Sequence, residues 1–162
     1  VSIEKISNIK HIDIVSARDM NNKMNELLST NKYDIIFMAA AVADYSPKEI
    51  SENKIKSKEK SLHLNLKKNI DILKNIKKYN TLKIGFALET ENGMKNAKEK
   101  MESKGLDYII LNYANEDNAG FDSDTNHLYL LSKNGYKKEF ELDTKHRLSQ
   151  KLIKTIHNEE FK

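Results

Sequence analysis

Three apolar runs of strand length, Asp34–Ala40, Leu82–Leu88 and Asp107–Leu111, are each separated from the next by a stretch with helical periodicity. A run apolar on every residue, rather than on alternate ones, suits a strand covered on both faces. Strands of that kind alternating with helices imply right-handed βαβ crossovers and a mainly parallel sheet. The pattern predicts an α/β, Rossmann-like sheet flanked by helices. Leu128–Leu131 and Glu139–Leu142 flank Asn134-Gly135, which adds a C-terminal antiparallel hairpin. The 162 residues suit a single domain.

Local signals fill in the remaining elements. His11–Val15 and Leu62, Leu64 and Leu66 alternate as short strands would. Ser16 with Asp19 reads as a capping box for a helix presenting Met20, Met24, Leu27 and Leu28. Asn69 reads as the cap of a helix running through Tyr79 with Ile72, Leu73 and Ile76 inside. Gly105 stops a third helix, and Thr144 caps a fourth that carries Leu148, Leu152, Ile153 and Ile156.

Composition narrows the chemistry. There is no cysteine, which removes thiol catalysis, thiolate metal sites and disulfides, and fits a cytoplasmic protein. No apolar run approaches the ~20 residues of a membrane span, so no membrane partner is expected. The net charge of +4 does not indicate nucleic acid, because only Arg18 and Arg147 are arginines and the other 26 basic residues are lysines. The charge is also local. Ser46–Lys83 holds 11 lysines against Glu49, Glu52, Glu59 and Asp71, a net of +7, which leaves the rest of the chain at −3. The five histidines are scattered without ligand spacing, and Asp122-Ser-Asp124 lacks the oxygen run of a calcium loop and reads as a turn.

In open α/β sheets ligands sit at the carboxyl ends of the strands, which selects the loops after Ala40, Leu88 and Leu111. Those loops carry an ordered set of motifs: Ala39-Ala-Ala-Val-Ala-Asp-Tyr45, Lys54-Ile-Lys56, Asn69-Ile-Asp-Ile-Leu73 and Gly85-Phe-Ala-Leu-Glu-Thr90. Lys100, Lys104-Gly-Leu-Asp107, Asn112, and Gly120-Phe-Asp-Ser-Asp124 with Asn126 follow. From about Ile14 to Ile156 the succession resembles the phosphopantothenoylcysteine synthetase domain of coenzyme A biosynthesis. Ile70 stands where the family usually has proline, and Ser57 where it often has a second lysine. The family's amino-terminal strand–turn–helix, with its acyl-site asparagine, lies outside this sequence. The expectation is therefore nucleotide binding, self-association and no ligation by these residues alone.

The resemblance implies CTP-dependent joining of 4′-phosphopantothenate and cysteine through an acyl cytidylate, with Mg²⁺ on the nucleotide. It also implies a homodimer, and FMN only where a flavoprotein decarboxylase is fused or associated. By resemblance Lys54 contacts the phosphates and serves cytidylate formation; in a lysine-rich chain a solvated lysine is the plain alternative. Lys100 and Lys104, four apart on one helix, are placed near the triphosphate, against simple surface pairing with Glu99 and Glu102. Asp44 would meet base, ribose or metal, or merely form an Asx turn. Ala40 and Ala41 would let backbone approach the ligand, or pack tightly in the core. Asn69, Ile70, Asp71 and Ile72 would offer backbone groups to the base at a helix start, or only cap it. Phe86 would wall the cytosine, a contact worth about 1–3 kcal/mol, or belong to the core. A nicotinamide enzyme of similar fold is disfavoured by the lack of Gly-x-Gly-x-x-Gly.

Overall fold

The computed structural model describes residues 8–49, 51, 53–55, 61–116 and 123–161. In chain order the elements are α1 (Ala17–Thr30), β1 (Ile35–Met38), β2 (Tyr45–Pro47), β3 (Leu66–Lys68), α2 (Ile72–Ile76) and β4 (Leu82–Glu89). They continue with α3 (Gly93–Lys104), β5 (Tyr108–Tyr113), β6 (Thr125–Ser132), β7 (Lys137–Thr144) and α4 (Lys145–Glu160). They form two compact units. One holds the described residues of Lys32–Ala40 and Lys77–Lys162, the other those of Val1–Asn31 and Ala41–Ile76.

The first unit is an α/β sheet in the order β1-β4-β5-β6-β7. β1, β4 and β5 run parallel, and β6 and β7 add antiparallel pairings as the expected C-terminal hairpin. Strand alternation sends Ile84, Tyr108, Ile110, Leu128, Leu130 and Phe140 to one face, where Leu148, Leu152 and Ile156 of α4 close the core. Ile84, Ile110, Leu130 and Ile156 have no solvent exposure. Ile109, Leu111 and Ala87 face the other way and are buried, as are Ala97 and Met101 of α3. Gly85 is required on that side, since a Cβ there would lie 2.5 Å from a Leu106 methyl. Gly105, at φ +65°, ends α3 in the left-handed region as expected.

Thr144 caps α4 by accepting from the Arg147 amide at 3.3 Å. Ile153 departs from the predicted apolar face: it is 55% exposed, because Leu148, Leu152 and Ile156 at four-residue spacing already define the stripe. β1 is not covered on both sides. It is an edge strand, and Phe37 is exposed.

The second unit pairs α1 with α2 and β2 with β3. The capping box is present: the Ser16 hydroxyl accepts from the Asp19 amide at 3.1 Å, and the Ser16 amide donates to Asp19 at 3.0 Å. Met20, Met24, Leu27 and Leu28 are half-buried, and Asn75 on α2 donates to Asn21 on α1 at 2.9 Å. Three expectations are corrected here. His11–Val15 forms no strand. The leucine alternation yields only the three-residue β3, which begins at Leu66, and Leu62, Leu64 and Leu66 are 62%, 60% and 56% exposed. The helix after Asn69 stops at Ile76 rather than Tyr79, and its capping carboxylate is Asp71, which accepts from the Lys74 amide at 3.2 Å.

Candidate nucleotide site

In the α1–α2 unit the backbone around Asp44 is held by one side chain. The Asn69 amide nitrogen donates to the Ala43 carbonyl at 2.8 Å, and the Asn69 side-chain oxygen accepts from the Ser46 hydroxyl at 2.8 Å. The Asn69 backbone amide donates to the Asp44 carbonyl at 2.7 Å. Asn69 is thus a long-range clamp rather than a helix cap, and its own N–H is already engaged. Clamping fixes the Asp44 backbone while its carboxylate stays exposed. Ala41 is exposed, which removes its core-packing alternative. Ile70 is 38% exposed, whereas Ile72 is 3% exposed and belongs to the α1–α2 packing. Lys54 is exposed and has no ion pair or hydrogen bond among the described residues. Lys56, Ser57, Gly120 and Asp122 lie outside the described residues; Ser123 accepts from the Thr125 amide at 3.1 Å, as a turn would.

In the sheet unit Ala40 and Phe86 lie just past the point where the β1–β4 pairing ends, and Lys104 lies at the other end of α3, where the chain enters β5. The β1–β4 register stops at Met38–Gly85, so from Phe86 onward β4 has a strand partner on one side only. The Phe86 carbonyl accepts from the Lys100 ammonium at 2.8 Å. A half-buried cation on α3 is therefore fixed against β4 by the fold itself. Lys104, one turn further along α3, is also half-buried. Phe86 has its ring packed against the α4-side core, so the core alternative describes where it sits. Ala40, just past β1, is exposed.

Residue patterning had not singled out what holds the β4–α3 turn. The Asn96 amide donates to Glu89 at 2.7 Å, and the Ala114 amide donates to the Glu89 carbonyl at 2.9 Å. Asn92 is left-handed at φ 54°, and a Cβ on Gly93 would meet the Tyr113 ring at 2.6 Å. The Asn92-Gly93 dipeptide is itself a turn signal that could have marked this corner. At the opposite end of the sheet, buried Lys83 donates to the Tyr79 and Thr81 carbonyls at 2.7 and 2.9 Å. Burial lowers its pKa, only partly offset by Asp107, whose carboxylate accepts from Lys133 and the Lys83 amide. This is a structural knot, remote along the strands from the Phe86 carbonyl.

Comparison with known proteins gives this geometry a family. The family described as DNA/pantothenate metabolism flavoprotein C-terminal domain matches residues 1–159. The chain belongs to that family. The synthetase half of coenzyme A biosynthesis that the ordered motifs resemble is thereby borne out as its kin. It is 34% identical over 147 residues to the coenzyme A biosynthesis bifunctional protein CoaBC of Bacillus subtilis, covering 90% of this chain and 36% of that protein. It is 38% identical over 151 residues to a cysteine/cysteine sulfinic acid decarboxylase from an unknown prokaryotic organism, covering 91% of this chain and 42% of that protein. The chain therefore spans about two-fifths of the length of these relatives. The crystal structure of the C-terminal domain of CoaBC superposes with a TM-score of 0.70 at 29% identity, over 90% of this chain and 63% of that one. No helix among the described residues is long and apolar enough to cross a membrane.

Proposed function

We propose that this chain supplies the CTP-binding part of a phosphopantothenate–cysteine ligase acting in the cytoplasm as a homodimer. The observation that carries the reading is the Lys100 ammonium, held on the Phe86 carbonyl in the half of β4 that runs beyond β1. Family membership supports it, and so does the exposed Lys54 in the chain's most cationic segment. A carboxylate resists attack by an amine because its negative charge repels the nucleophile. Attack of the 4′-phosphopantothenate carboxylate on the α-phosphate of CTP forms the acyl–phosphate bond and releases pyrophosphate. The cysteine amine then forms the amide, loses its proton, and displaces CMP.

Both steps develop negative charge on phosphate oxygens, which positioned cations stabilise more than they stabilise the ground state. Lys54 is the residue assigned to charge at the first step, with Lys100 and Lys104 holding the phosphates. Asp44 is the residue assigned to base, ribose or metal, and the small Ala40 and Ala41 are assigned to let backbone approach the ligand. Mg²⁺ on a triphosphate needs only one or two protein carboxylates. The exposed Asp44 carboxylate fits that role, and among the described residues no three His, Asp or Glu side chains are arranged so that they could hold a metal ion. FMN would belong to a decarboxylase partner.

The test is CMP release from CTP, Mg²⁺ and 4′-phosphopantothenate with and without cysteine. Cysteine-dependent CMP supports ligation. CTP binding with no pyrophosphate released would leave a nucleotide-binding module instead.

A further inference from the structure

His127, near the start of β6, stands between two carboxylates from different parts of the sheet unit. Its Nδ1 lies 2.9 Å from Glu116 Oε2, beyond the end of β5, and its Nε2 lies 2.9 Å from Glu139 Oε1 on β7. Ionised carboxylates only accept hydrogen bonds, and a neutral imidazole can donate from one nitrogen only. Both contacts are satisfied together when both ring nitrogens carry protons. We infer that the His127 imidazolium is a proton-dependent clasp that ties the chain leaving β5 to the β6–β7 hairpin.

Neighbouring side chains extend the network. The Tyr129 hydroxyl donates to the same Glu139 oxygen at 3.1 Å, which leaves that oxygen an acceptor. The Tyr129 ring lies 4.9 Å from the imidazole and meets Tyr113 edge-on at 6.1 Å. The Lys137 ammonium sits over the Tyr129 ring at 5.6 Å. Among the described residues, the charged groups paired with His127 are Glu116 and Glu139. The imidazole side chain is 20% exposed, so water competes only weakly for its two protons. β6 runs antiparallel to β5, which places this clasp at the carboxyl end of β5, the end where open α/β sheets take ligands.

The sign follows from the donors. Loss of one ring proton turns one nitrogen into an acceptor facing a carboxylate, and a contact is lost. The reporter is the Ala114 amide, which donates to the Glu89 carbonyl two residues before Glu116.

The experiment combines imidazole nitrogen NMR with amide hydrogen exchange across pH 5 to 9 in the absence of ligand. Both His127 nitrogens are expected to be protonated while Ala114 is most protected. Protection, corrected for intrinsic exchange, should fall by about tenfold as the ring proton leaves. Glu116→Gln, at a partly exposed position, should abolish that dependence without lowering the melting temperature markedly; His127→Gln should do the same. A neutral ring with Ala114 fully protected, or a wild-type pH curve in Glu116→Gln, would overturn the clasp. Because the readout needs no nucleotide, its failure is separable from failure of the ligase reading.

Discussion

The two lysines assigned to phosphate sit in opposite kinds of surroundings. Lys100 extends from a twelve-residue helix and is tied to the Phe86 carbonyl, over a sheet whose core side chains at Ile84, Ile109, Ile110 and Leu111 exclude solvent completely. Lys54 stands exposed in the unit where Leu62, Leu64 and Leu66 are more than half exposed and β2 and β3 hold three residues each. One cation is positioned before any ligand arrives. The other stands exposed, and ordering it on a ligand would cost up to about 2 kcal/mol.

The largest effect expected is on turnover. Lys54→Gln should leave the melting temperature unchanged and slow acyl-cytidylate formation by about 10²–10³-fold, measured by pyrophosphate release in the ligating protein. A normal rate in Lys54→Gln, with Lys100→Gln severely impaired, would move the phosphate role onto the helix. Next comes the stability contrast. Ile110→Ala should cost about 2–5 kcal/mol in denaturant unfolding, whereas Leu64→Ala should stay within about 0.5 kcal/mol. Comparable losses at both positions would break the comparison.

Lys100→Met should be intermediate. It forfeits one hydrogen bond, about 1 kcal/mol, and should also weaken CTP binding, whereas Lys54→Met should change binding without changing stability. The smallest effect concerns Asp19. Its pKa is lowered chiefly by the Ser16 hydroxyl hydrogen bond. A depressed folded-state value means stability that is present above the ordinary carboxyl range and is lost as pH falls through the lowered one. The melting temperature of Asp19→Asn should therefore converge on the wild-type value as pH drops from 5 to 3. A gap that stays constant would remove the charge from the account.

What was legible in the residues was local. The Ser16–Asp19 box, the Gly105 stop, the Thr144 cap and the Asn134-Gly135 hairpin each depend on neighbours within a few positions, and each is found. The β4 run and the sheet class were legible because burial on both faces leaves a continuous apolar signature. What was not legible depended on partners far along the chain. Alternation at Leu62–Leu66 says which side of a strand is apolar, not whether anything covers it. Asn69 precedes a helix as a cap would, yet its side-chain partners lie 23 and 26 residues away. The ordered lysines pointed to the family, but the bond from Lys100 to Phe86, 14 residues back, needed the fold. His127 has no ligand spacing in the sequence, and spacing does not reveal two glutamates 11 and 12 residues to either side.

The most direct measurement of the central claim is the shift in melting temperature of this chain with CTP and Mg²⁺, beside ATP and NAD under identical conditions. Ligand that binds the folded state raises the melting temperature with concentration. CTP is predicted to give a saturable rise that exceeds the rise with ATP, with no shift from NAD. Equal shifts with all three, or none with CTP, would contradict the cytosine-nucleotide site.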